Sequence, residues 1–112
     1  MLALAPDIEV LVRFGRAFAD PIRCRILLEL RKTPAYPADL ADALGVSRTR
    51  LSNHLAACLR DCGLVVTVPD GRRTRYELAD ERLGRALDNL RTAVVAVEAD
   101  RTCADAAEKG CC

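Results

Sequence analysis

The stretch "PADLADALGVSRTRLSNHLAACLRDCG", residues 37–63, decides the fold. Pro37 suits the first position of a helix, and Gly45 ends a short apolar-patterned segment. Ser47 is an N-cap residue for a second helix beginning at Arg48, and Gly63 closes it. A short helix, a glycine-containing turn and a second helix make a helix-turn-helix.

Outward from that core, the period changes. "LVVTVPDGRRTRYEL", residues 64–78, is two β-rich runs around Asp70-Gly71, a strong hairpin signal, with Pro69 expected at the turn. "DERLGRALDNLRTAVVAV", residues 80–97, returns to helical spacing through Leu83, Leu87, Leu90, Val94 and Val97 behind an Asp cap. Upstream, Ile8, Leu11, Val12, Phe14 and Phe18 give an amphipathic first helix. Asp20 then caps "PIRCRILLELRK", whose Ile22, Ile26, Leu27 and Leu30 form a stripe to be buried. The expected fold is mainly α with a β-hairpin wing (α+β), a winged helix-turn-helix. Residues 1–99 are expected to form the DNA-binding and dimerisation domain and residues 100–112 a cysteine-containing tail.

The 112 residues are 51% hydrophobic with two Phe, two Tyr and no Trp, which points to one domain with an aliphatic core. No apolar run is long enough to span a membrane, and "MLALAPDIEV" reaches acidic residues too soon for a signal peptide. A cytoplasmic location follows as an expectation, and in a reducing compartment six cysteines point to metal or redox chemistry before disulfides. Net charge is only +1, but residues 43–76 carry six basic groups against two acidic ones. Such a basic middle is a local pointer to an anion-binding face.

On a wheel at about 100° per residue, Leu51, Leu55, Leu59, Cys58 and Cys62 fall on one side of the second helix. Thr49, Arg50, Asn53 and Arg60 fall opposite. The polar face is the candidate for the major groove, where the first residues of such a helix reach base edges or grip phosphate. The expected DNA-contacting residues are Ser47, Arg48, Thr49, Arg50, Ser52, Asn53 and His54, with Arg72, Arg73 and Arg75 on the wing. His54, the lone histidine, would need distant cysteines to act as a metal ligand. A packed or phosphate-contacting role beside Asn53 needs no such help.

Cys58 and Cys62 stand four apart on one helical face, where two thiolates can reach one ion. Thiolate-rich sites select soft or borderline ions. The same wheel puts both in the apolar stripe, where cysteine is an ordinary small hydrophobe. Spacing leaves packing and ligation equal. Three cysteines in the polar tail, Cys103, Cys111 and Cys112, favour chemistry, and a third ligand would come from these or from Cys24. Cys24 lies between Arg23 and Arg25 in a helix and reads as core before ligand.

"FADPIRCRILLEL", "LADALGVSRTRLSNHLAACLRDCGLV" and "DGRRTRYEL" resemble the ArsR/SmtB family of metal-responsive winged-helix repressors over roughly residues 10–98. Cys58, Cys62 and the tail Cys103 look like the cadmium- and lead-sensing branch of that family. The resemblance implies a homodimer joined through the first and last helices, with Cys58 and Cys62 completed by Cys103 of the partner subunit. It implies a metal-free dimer that represses an operon for metal efflux or detoxification by binding operator DNA. Cd(II) or Pb(II) then acts as inducer. The signatures of other branches are missing: "PADLADAL" carries no CxC, and "ERLGRALDNLRTAVVAVEAD" carries no histidine. The departure is the Cys111-Cys112 pair, which can add ligands or tune preference toward As(III) or Hg(II), and Zn(II) also stays open as an ion. A thiol-redox winged-helix repressor is the alternative, although an i, i+4 pair is poor disulfide geometry. A metal buffer or small enzyme is a third reading. No nucleophile–base pair or phosphate loop supports an enzyme, and no small organic substrate is expected.

Overall fold

The computed structural model describes residues 6–100. Five helical elements and a hairpin follow in order: α1 (Pro6–Phe18), α2 (Pro21–Lys32), α3 (Pro37–Leu44), α4 (Arg48–Asn53), β1 (Val65–Asp70), β2 (Arg73–Leu78) and α5 (Glu81–Asp100). A π-helical stretch (His54–Arg60) continues α4, and the two together form the second helix of the helix-turn-helix. The winged helix-turn-helix expected from the sequence is the observed fold.

Local chemistry explains the helix starts. Asp20 Oδ1 accepts the N–H groups of Ile22 (2.8 Å) and Arg23 (3.2 Å), satisfying two donors that helix geometry leaves free at the start of α2. Ser47 Oγ does the same for Arg50 N–H at 3.1 Å. At the turn of the helix-turn-helix, Gly45 adopts φ 69°, and Val46 N–H returns to Ala41 O at 3.1 Å. That left-handed residue lets the chain leave α3 and enter α4 within three residues.

α2 is the central element, touching α1, α3, the second helix of the motif, β2 and α5. Ile22, Ile26, Leu27 and Leu30 are buried as the stripe requires. Against them pack Leu51, Leu55 and Leu59, each fully buried, with Leu64 and Val65 from the start of the wing. The hairpin is antiparallel, pairing Val65 with Leu78 through Asp70 with Arg73. Ala35 adds a single bridge to Tyr76, with bonds of 2.8 and 3.0 Å, so the "TPAYP" break is tied to the wing.

Two expectations change. The second helix is not uniformly α: beyond Asn53 its turns widen to π geometry, with i→i+5 bonds, so a wheel with α periodicity drifts out of phase there. Pro69 lies within β1 opposite Thr74, and the turn residues are Gly71 and Arg72. With φ 62° at Gly71 and no positive φ at Arg72, this fits a II′ turn, and β1 tolerates proline because no strand among the described residues pairs with its other edge. The apolar stripes of α1 and α5 are only partly covered. Phe14, Phe18, Leu83 and Leu87 are half-buried, while Leu11 is 68% and Leu90 54% exposed. No other element among the described residues lies over them.

Candidate functional site

The polar face of the second helix is solvent-exposed: Ser47, Arg48, Thr49, Arg50, Ser52 and Asn53 all lie open. Leu51 alone of this run turns inward, so the core anchors the helix from behind while its first two turns stay free. His54 departs from that face. Its side chain is only 16% exposed, with Nε2 3.9 Å from Asp20 Oδ1 and Nδ1 3.4 Å from an Arg23 nitrogen. The π-helical entry at this residue carries it round toward α2.

The three wing arginines have different surroundings. Arg72 is exposed at the turn. Arg73 lies with its guanidinium 3.5 Å from the centre of the Tyr36 ring and 3.3 Å from Asp39, while Tyr36 Oη donates to Asp70. That hydrogen bond, chiefly, with partial burial added, holds the Tyr36 hydroxyl above its ordinary pKa. Arg73 and Tyr36 thus clamp the wing to the start of α3. Arg75 is half-buried, its Nε 3.8 Å from Glu77 Oε2 and without a hydrogen bond.

Behind the reading face, Cys58 and Cys62 open into one groove of about 320 Å³, shared with Arg13, Arg16, Arg23 and Asp61. The wheel put both thiols in the middle of the core stripe. The structure places them at its edge, half-buried, where a thiol can be reached from solvent. Arg23 lines this groove beside Cys58. Its Nε donates to Ala17 O (2.9 Å), Nη2 to Arg16 O (2.9 Å) and Nη1 to Cys58 Sγ (3.7 Å). Cys24 is not part of this groove. Its thiol donates to Phe18 O at 3.1 Å, and burial, reinforced by Asp20 and opposed by Arg23, pushes its pKa up. A thiol kept protonated as a donor closes α1 and is ill suited to ligation.

Among the described residues no group of three His, Cys, Asp or Glu side chains is placed to hold a metal ion. Cys58 and Cys62 are thus two thiols on one groove, with no third side chain of that kind placed to join them among the described residues. Cys103, Cys111 and Cys112 lie outside the described residues, as does almost all of the 100–112 segment. Sequence reasoning missed Arg23, Tyr36 and Asp39. Arg23 meets Cys58 across 35 positions, and no local pattern signals such a contact. Tyr36 beside a proline, before an Arg-rich hairpin, was the one available hint of a wing clamp.

A family model described as "Bacterial regulatory protein, arsR family" matches residues 20–67, from the α2 cap into the wing. Over 95 residues the chain is 53% identical to the HTH-type transcriptional regulator CmtR of Mycobacterium bovis and Mycobacterium tuberculosis, covering 85% of this chain and 80% of that protein. The chain belongs to the arsR family of bacterial regulatory proteins. As a member it is a transcriptional regulator with a DNA-binding helix-turn-helix. Solved structures agree. The NMR structure of the cadmium metal-sensor CMTR from M. tuberculosis is 56% identical with a TM-score of 0.62, covering 70% of this chain and 81% of that one. A homodimeric winged helix-turn-helix DNA-binding domain from M. bovis is 28% identical with a TM-score of 0.73, covering 88% and 92%. No described helix is long and apolar enough to cross a membrane.

Proposed function

We propose that the protein is a metal-responsive repressor that binds operator DNA as a metal-free homodimer and leaves it on binding Cd(II) or Pb(II). The observation that carries this is the two-sided second helix: exposed Arg48, Thr49, Arg50, Ser52 and Asn53 in front, paired Cys58 and Cys62 behind. Similarity to a cadmium sensor supports the choice of ion. The exposed apolar faces of α1 and α5 flank a groove lined by Leu11, Phe14, Phe18, Leu83, Leu87 and Leu90, and a second copy is its natural cover. A homodimeric relative supports that assignment. In such a dimer the two reading helices meet successive major-groove faces about one helical turn apart, and Arg72 at each wing tip reaches the flanking backbone.

Cys58 and Cys62 supply two ligands, and Cys103 of the partner subunit supplies the third. Bound cadmium or lead provides a soft acceptor that gathers thiolate sulfurs about one centre. Each ligating thiol gives up its proton to solvent, so binding tightens as pH rises. DNA and metal then oppose each other through one coupling free energy, typically about 1–3 kcal/mol, and each weakens the other equally.

The test is titration of the operator complex with Cd²⁺ for the wild type, Cys58→Ser, Cys62→Ser and Cys103→Ser, with sedimentation reporting the dimer. Each single variant is expected to stay dimeric, bind the operator and require far more metal for release. Wild-type release in all three would overturn the site. Parallel titrations with Pb²⁺, Zn²⁺, arsenite and Hg²⁺, on the full chain and on one truncated before Cys111, rank the ions. They also assign a role to Cys111 and Cys112.

A further inference from the structure

The wing is a hairpin of only two strands, an element that is marginal by itself. Its base is held by Val65 in the core and by the Ala35–Tyr76 bridge. At its tip, Asp70 and Arg73 are the register pair that closes the turn around Gly71 and Arg72. One side chain holds both. The Tyr36 hydroxyl donates to the Asp70 carboxylate, and the Tyr36 ring lies against the Arg73 guanidinium, 3.5 Å from ring centre to Cζ. Asp39, in the first turn of α3, accepts from Arg73 Nη2 at 3.3 Å. Tyr36 is itself fixed on both sides. Ala35 before it is bonded to Tyr76 of β2, and Pro37 after it opens α3. Its backbone is extended (φ −99°, ψ 148°) and its side chain makes no cap bond, which leaves ring and hydroxyl to the wing.

We propose that Tyr36 is a positioning residue for operator binding, tying the wing tip to the first helix of the helix-turn-helix so that Arg72 is preset on the DNA backbone. This rests on the reading of Arg72 as a backbone contact. α3 packs on α4, so a tip fixed to α3 keeps a fixed distance from the reading helix. Docking both on one duplex requires that distance. With the tie cut, the tip has to be ordered at the moment of binding, and that ordering cost is subtracted from affinity. Tyr36 is uncharged and gives its hydroxyl proton to Asp70. Its effect on the operator therefore passes through Arg72.

Tyr36→Phe keeps the ring against Arg73, alters no charge and removes only the bond to Asp70. The probe is an operator duplex selected with the wild-type protein from a random-sequence pool, titrated by anisotropy with metal-free protein. Tyr36→Phe is expected to bind about fivefold more weakly, the size of one partly exposed hydrogen bond. In an Arg72→Ala background the same substitution should change affinity by less than about twofold. An equal loss in both backgrounds marks a merely structural role and overturns the proposal while leaving Arg72 at the backbone. Undiminished affinity in Tyr36→Phe overturns it in the same way. If Arg72→Ala alone binds as the wild type does, the backbone reading of Arg72 falls and the role of Tyr36 falls with it. A wild-type measurement covers the case in which Tyr36→Phe does not melt cooperatively. Amide order parameters of Gly71 and Arg72 in the DNA-free protein should stay above about 0.6, the limit of flexible backbone, and lower values overturn the tie.

Discussion

Arg72 and Arg73 are adjacent and chemically identical, yet their environments differ. Arg72 projects from the turn, whereas Arg73 is held by Tyr36 and Asp39. Arg72→Ala should therefore reduce the salt dependence of operator binding by about one unit of slope, measured by anisotropy across salt concentrations. Arg73→Ala should act on the wing itself, lowering stability by about 0.5–1 kcal/mol in thermal melts. Arg50→Ala, on the open face, should weaken operator binding by about 1–3 kcal/mol with cadmium affinity unchanged; equal operator binding would remove Arg50 from the interface. Residue identity showed the caps at Asp20 and Ser47 correctly, because a cap acts within three residues of itself. It could not show that His54 turns away from the face that Asn53 occupies. That depends on π-helical turns and on Arg23 arriving from another helix.

Among the elements, the helix-turn-helix was the most legible because its punctuation is local. Gly45 ends α3 in the left-handed region, and a Cβ added there would meet nothing within 4 Å. The cost of Gly45→Ala is then conformational and not steric, about 1–2 kcal/mol, read as a lower urea midpoint at unchanged slope. A cost near zero would show that α3 can end in another conformation. The hairpin was legible in outline, but its turn fell one residue later than Asp70-Gly71 suggested. Register there is decided by Tyr76 and Val65 turning into the core, with Ala35 pairing to Tyr76. For α1 and α5 the amphipathic spacing was legible but its partner was not: periodicity does not distinguish a face buried within a protomer from one that awaits a second copy, and only the family resemblance pointed to the first and last helices as a dimer seam.

For the molecule as a whole, acid stability should reflect two helix-start carboxylates. Partial burial raises the Asp20 pKa, but the N–H groups of Arg23 and Ile22, with the charges of His54 and Arg23, hold it below 3.8. Arg82, through its side chain and then its N–H, brings Asp80 to about 2. A lowered folded pKa gives stability that is present above the unfolded value of 3.8 and is lost as pH falls through the folded one. Melting temperature should thus fall between about pH 4 and pH 2, and Asp20→Asn with Asp80→Asn, which keeps capping oxygens, should flatten that fall. An unchanged slope would place acid sensitivity elsewhere. By itself the sequence determined the order of elements, the helix starts, the aliphatic core of α2 and the exposure of the reading face. Each depends on propensity, capping and periodicity that act over a few residues. Tertiary structure alone decided that Cys58 and Cys62 stand at the edge of the core, that Arg73 clamps the wing, and that Arg23 ties α1 to the reading helix. Those contacts join residues far apart in the chain, and only packing around α2 brings them together.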